Sequence, residues 1–161
     1  MANKYQPHVV VLVEDEANRY IVNGFQRGAG VRQRAIEVLP DAGGWTHVRD
    51  QFARELVPYL RAYPKALALL LVDFDQDGDR KAQVLGALDP ALADRVFVVG
   101  TWSEPEALRR ELGRFERIGE LLFEDCVAGT TKTWDHPLLR HNASELERLN
   151  RVVRPVILPP S

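Results

Sequence analysis

Three apolar runs constrain this chain more than any other feature. His8–Val13, Ala66–Val72 and Arg95–Gly100 lack the apolar–polar alternation of a half-exposed strand. Runs of this kind need cover on both faces, as in a parallel sheet layered between helices. A shorter candidate strand, Ala35–Leu39, lies between the first two. Helical spacing fills the gaps. Residues 15–27 carry Tyr20, Ile21, Val22 and Phe25 on one side, and Val48, Phe52, Leu56, Tyr59 and Leu60 recur further on. A short helix is expected near Lys81–Leu88. The order β-α-β-α-β-α-β-α predicts an α/β fold with a mainly parallel sheet and right-handed crossovers.

Local signals refine this. Gly28 and Gly30 end the first helix, and Pro58 predicts a kink or a shortened helix. Ser103 with Glu106 reads as a capping box, opening a helix that continues through Leu108, Leu112 and Phe115. Ser144 with Glu147 reads as another, opening a helix to about Val152. Glu120–Phe123 reads as a short extended segment, Gly129–His141 as a loop, and Pro155–Leu158 as an edge strand.

At 161 residues the chain is expected to form one domain. Its core would span about 8–125, with a C-terminal loop, helix and edge strand over 126–161. A composition of 45% hydrophobic and 27% charged residues excludes disordered, collagen-like and coiled-coil classes. Cys126 is the only cysteine, so no internal disulfide or paired-cysteine metal site is available, and it reads as a small buried side chain. Val9–Val13 is too short for a signal-peptide core, and no stretch approaches the ~20 apolar residues of a membrane span. These features point to a cytoplasmic protein without a membrane partner. The net charge of −2 exerts no overall pull toward nucleic acid but leaves room for a local basic face.

The acids gather at strand ends. Glu14, Asp15 and Glu16 follow the first strand; Asp73, Asp75, Asp77 and Asp79 follow the third. On neighbouring strands these groups converge at one sheet edge, where open α/β sheets place their sites. Close carboxylates repel unless a cation neutralises them, and hard oxygen donors without cysteine favour Mg²⁺ or Mn²⁺. Glu14, Asp73 and Asp75 are the expected ligands. Alternation places Asp73 and Asp75 on the same side of an extended chain. Asp15, Glu16 and Asp79 fit solvated or capping positions better. A calcium loop of the helix-flanked type is excluded: its twelfth position, counted from Asp73, is Val84, and a strand precedes it.

The segments VLVEDEANRYIV, VLPDAGGWTHV and LLLVDFDQDGD together resemble the Toprim domain over about residues 8–115. Toprim proteins carry a Glu closing the first strand and a DxD closing a later one, and Glu14 and Asp73-Phe74-Asp75 match those positions. The Gly43-Gly44 turn is most similar to the OLD-nuclease branch. The resemblance implies a Rossmann-like three-layer fold. It also implies a Mg²⁺- or Mn²⁺-dependent nuclease, or a related phosphoryl-transfer protein, acting on DNA or RNA. Glu14, Asp73 and Asp75 would form its catalytic metal centre, with Asp77 as a supplementary ligand. Asp15 stands where the family usually has Gly, and Asn18 where the OLD branch often has a second acid. OLD-like nucleases also use a downstream Lys, for which Lys132 is the candidate, and carry an ATPase. Here an ATPase would be a separate partner, and a homo-oligomer is the other expected assembly.

VVVLVEDEAN is also similar to the start of a response-regulator receiver domain. That similarity implies Glu14 and Asp15 as the metal pair, Asp73 as phosphoacceptor and Thr101 as switch hydroxyl. The alternative to a nuclease is therefore a non-catalytic binding or signalling module, either degenerate Toprim-like or receiver-like. Other candidates are Glu104 and Glu106 beside the fourth strand, and Trp134, His136, Arg140 and His141 as a nucleic-acid groove or a packed tail. Arg109, Arg110, Arg114 and Arg117 alternate with Glu on one expected helix and read as a solvated face. No Walker loop or GxSxG elbow is present.

Overall fold

The structure is a computed structural model, and it describes residues 2–160. Four strands form one all-parallel sheet: β1 (His8–Val13), β2 (Ile36–Val38), β3 (Ala66–Leu71) and β4 (Val96–Val99), in the order β2-β1-β3-β4. The register pairs His8 with Ala66 through Val13 with Leu71, and Ala68 with Val96 through Leu71 with Val99. From β1 the chain steps one way to β2, then crosses back to β3 and on to β4. Crossovers of one hand put helices on opposite faces when the direction reverses.

Side-chain alternation shows those two faces. Val10 and Leu12 of β1 join Val48, Phe52, Leu56, Leu60 and Val84 in one apolar core. These come from α2 (Trp45–Gln51), α3 (Val57–Ala62) and α4 (Arg80–Leu85), with a π-helical turn over Phe52–Leu56. Val9, Val11 and Val13 face the other core, with α1 (Glu16–Gln26), α6 (Phe115–Ala128), α7 (Ala143–Val152) and α8 (Arg154–Ile157). A third cluster, Ile21, Leu108, Ile118 and Leu139, joins α1, α5 (Pro105–Leu112), α6 and the segment before α7.

Pro58 neither ends nor visibly shortens its helix. Its ring would press on the carbonyl four residues back. The wider π-turn just before it accommodates that ring, and the Val57 N–H bonds the Phe52 carbonyl. α1 and α6 meet backbone to backbone: a Cβ on Gly24 would lie 2.0 Å from the Glu116 carbonyl oxygen, and one on Gly119 1.9 Å from that of Ile21.

Four local expectations are corrected. Glu120–Phe123 lies inside α6 rather than in an extended segment. The arginine-bearing helix is two helices, broken at Gly113, whose φ is 100°. Neither capping box forms, since Glu104 and Asn142 hold the N-cap positions without side-chain capping bonds. Pro155–Leu158 is no edge strand: Arg154–Ile157 is a helical turn with Pro at its start, where the missing N–H costs nothing.

The outer edge of β4 is completed by side chains instead. Arg148 Nη2 donates to the Val96 carbonyl (3.2 Å), the Val98 N–H donates to Glu145 Oε2 (2.9 Å), and Asn142 both accepts from and donates to the Gly100 backbone (3.3 and 2.9 Å). Every second residue along the edge is thus bonded by α7 or the residue that precedes it. Among the described residues, no helix is long and apolar enough to cross a membrane.

Candidate functional site

The chain reverses direction between β1 and β3, and Glu14 and Asp73 follow the carboxyl ends of these two strands. This is the switch point at which open α/β sheets form ligand crevices. The contact between the two residues is built from the backbone. The Glu14 N–H extends the ladder to the Leu71 carbonyl (2.9 Å). In a regular parallel ladder the Asp73 N–H would next reach the Glu14 carbonyl. That carbonyl is instead taken by the N–H groups of Gly43 and Gly44, at 2.8 and 3.2 Å. The two glycines reach it with φ of 92° and 138°, left-handed values that explain a Gly-Gly turn there. The Glu14 side chain fills the vacated place: its Oε2 accepts the Asp73 N–H at 2.6 Å.

Asp73 is 8% exposed. Burial, reinforced by the charges of Glu14 and Asp15, pushes its carboxyl up to about 8. Asn18, buried on α1, opposes this weakly by donating to Asp73 Oδ1 at 3.4 Å. Glu14 is likewise raised, first by burial and then by Asp15 and Asp75, against the bond from Asp73. Burial also raises Asp15, which caps α1 by accepting the Asn18 N–H at 3.2 Å; the charge of Glu106 adds to the rise.

The other acids are placed differently from the expectation. β3 stops at Leu71, and Asp75 and Gln76 take left-handed backbone, φ 50° and 60°. The chain is therefore not extended through the DxD, and alternation does not put Asp73 and Asp75 on one side. Asp75 is exposed and lies 3.5 Å from Arg80 Nη1. Asp77 turns to its own loop, accepting the Asp79 N–H (2.9 Å) and Gln83 Nε2 (3.1 Å), and these bonds lower its pKa. Among the described residues, no three Asp, Glu, His or Cys side chains converge as a preformed metal shell.

Donor chemistry nevertheless suits a hard divalent cation. Glu14, half-buried, and Asp73, buried, are oxygen donors joined through the Asp73 N–H, and each carboxyl is held above its ordinary range. Glu14 and Asp73 fit that role as they stand. Asp75 and Asp77 do not.

Sequence reasoning missed the cation already present. Arg80 is buried, stacks 4.3 Å over Trp45, and partly offsets Glu14 electrostatically. Its Nε and Nη1 find no hydrogen-bond partner among the described residues. An RK pair following DFDQDGD gave no signal that Arg80 folds inward. Trp45 directly follows the Gly-Gly turn, so both sit beside Glu14's backbone anchor.

Thr101 is buried at the end of β4; its carbonyl accepts the Phe74 N–H (2.9 Å), and its hydroxyl is unpartnered among the described residues. His141 does reach this end of the sheet, packing on Phe74 and Trp102 with ring centroids 4.6 and 5.2 Å away. Trp134 joins the α5–α6 cluster, His136 bonds Glu111 at 2.6 Å, and Arg140 is exposed. Trp134 and Arg140 line one shallow pocket with Asp135 and Glu147, but His136 and His141 lie outside it, so the four do not share a single groove. Lys132 is exposed in a loop anchored by buried Asp125, which accepts the N–H groups of Lys132 and Thr133. Glu104 and Glu106 are exposed at the start of α5.

Comparison with family models, curated proteins and solved structures finds no match for this chain.

Proposed function

We propose that this chain is a Toprim-like phosphoryl-transfer protein, a Mg²⁺- or Mn²⁺-dependent nuclease acting on DNA or RNA. The observation that carries the reading is the Glu14–Asp73 contact at the β1/β3 switch point, where the Asp73 carboxyl is pushed up to about 8. A buried carboxyl raised by burial and by neighbouring acids is unfavourable for folding alone, and perturbed groups of this kind concentrate at functional sites.

A divalent ion held by Glu14 and Asp73 would supply charge stabilisation for the attacking and leaving oxygens of a phosphodiester. Asp75, exposed on the loop that also carries Arg80, would join as a third ligand by that loop turning inward. Glu14, already raised, is the residue suited to hold and return a proton at Oε1, since Oε2 is engaged by the Asp73 N–H. Asn18 orients the Asp73 carboxyl through Oδ1. Arg80 contributes a fixed positive charge beside Asp75.

The test is plasmid nicking and cleavage of single-stranded DNA and RNA, with Mn²⁺, Mg²⁺ or chelator. Cleavage that needs metal and falls at least 100-fold in both Asp73→Asn and Asp75→Asn supports the reading. Equal activity in wild type and variants, or none with any substrate, overturns it.

One observation favours the non-catalytic alternative: the absence, among the described residues, of a converged three-ligand shell. In that reading the acidic site binds metal without turnover, or Asp73 accepts a phosphoryl group with Thr101 beside it. Acid-labile phosphorylation at Asp73 by a small phosphodonor would identify the receiver-like form.

A further inference from the structure

The central strand of a parallel sheet is ordinarily covered on both faces. β3 is covered on only one of them along its full length. On the other, Leu69 remains partly exposed in mid-strand. The cause lies in the helices. α6 packs on α1 through the Gly24–Gly119 crossing, with the Phe25 and Phe123 rings 5.6 Å apart, so it stands beside α1 and leaves the sheet's middle open. α7 is held on the far side by its bonds to the β4 edge. The helices are pinned apart, and a cavity of about 130 Å³ lies between them over the sheet. Leu69 and Val99 form its floor; Phe25, Leu122, Cys126 and Leu149 form its walls. Polar groups enter only through a few residues, Arg154 among them, which is bonded to the Cys126 carbonyl at 2.8 Å.

We propose that this cavity is a binding site for a small uncharged apolar molecule. The size argues for the class. A dry aliphatic cavity of roughly 150 Å³ in another protein binds benzene, and this one is close to that volume. Its lining offers aliphatic and aromatic contact, and its one charged residue, Arg154, is turned to the Cys126 and Val127 carbonyls rather than to a ligand. Leu69 faces the cavity, whereas Glu14 and Asp73 lie beyond the strand ends, so this site is separate from the acidic one. It does not depend on the nuclease reading.

Cys126 is a wall residue and the chain's only cysteine, which makes it a specific reporter. The experiment titrates benzene, with sodium benzoate as the charged control, and reads thermal stability and the rate of Cys126 alkylation by N-ethylmaleimide. Saturable benzene binding is expected to raise Tm by roughly 4 °C at ten times its Kd and to slow alkylation at least fivefold. Benzoate should do neither. Leu149→Phe and Val22→Phe, which add volume to the cavity from two helices, should lose both responses while remaining folded. Three results would overturn the proposal: no response to benzene, an equal response to benzoate, or an undiminished response in both folded variants. A Tm and alkylation rate that change with protein concentration instead would assign the cavity to a second copy of the chain.

Discussion

Asp73 donates its N–H to Glu14 while its own carboxyl is pushed up to about 8, and the combination has a defined pH signature. The folded state keeps a proton that the unfolded chain loses near pH 4. Stability from this group is therefore fully present below the unfolded value and is lost as pH rises toward 8. The effect is at most about 6 kcal/mol. Glu14 and Asp15 are raised as well and act in the same direction. Glu145 is shifted the other way: burial raises it, but Lys81, the Val98 N–H and Arg148 together hold it lower, so it is already ionised above pH 5.5. In chelator, the Tm of the wild type should fall between pH 5.5 and 8.5, and that of Asp73→Asn should fall much less. A wild-type profile that rises, or one that the variant copies, contradicts the assignment. Glu14 and Asp73 were legible because each closes an unalternated apolar run. Asp75 was misplaced because alternation holds only while the chain stays extended, and the left-handed pair Asp75–Gln76 breaks it. Arg80 and Trp45 were not legible, since only tertiary packing brings α4 onto the start of α2.

The α1–α6 pair shows why element boundaries were harder to read than strands. Gly113 and Gly119 weaken the helical signal, and the apolar Leu121, Leu122 and Phe123 between charges suggest extension. The structure gives Gly119 a different purpose, close approach to the backbone of α1. Gly119→Ala would gain about 1 kcal/mol of intrinsic helix propensity. It would also drive a methyl group into the Ile21 carbonyl oxygen and the Phe25 nitrogen, 1.9 and 2.7 Å away, which cannot rotate aside. The clash wins, with a net loss of roughly 1–3 kcal/mol expected. Chemical denaturation checks this, and a stabilised variant would contradict the crossing. The capping box expected at Ser144 failed for a related reason. Asn142 and Glu145 sit where α7 begins, but their side chains are engaged by the β4 edge, a partner invisible to local pattern.

Across the whole molecule, a parallel sheet covered on both faces followed from three runs and the helical periods between them, whereas the strand order came only with the structure. What could not be read was how the sheet ends. A strand was expected at the C-terminus; side chains of Asn142, Glu145 and Arg148 stand in for one. The double variant Asn142→Ala/Glu145→Ala leaves the Val98 N–H and the Gly100 backbone without these partners, at about 1–3 kcal/mol for each group left buried and unsatisfied. A large drop in Tm is the expected outcome, read by calorimetry. The consequence reaches beyond one molecule. Once α7 lifts, β4 presents Val96-Phe97-Val98-Val99 as an open template without a single charge. A strand of this kind recruits strands from other chains. In the double variant, thioflavin-binding fibrils should therefore form under conditions where the wild type stays clear, with α7 acting as a folded-in guard against amyloid growth.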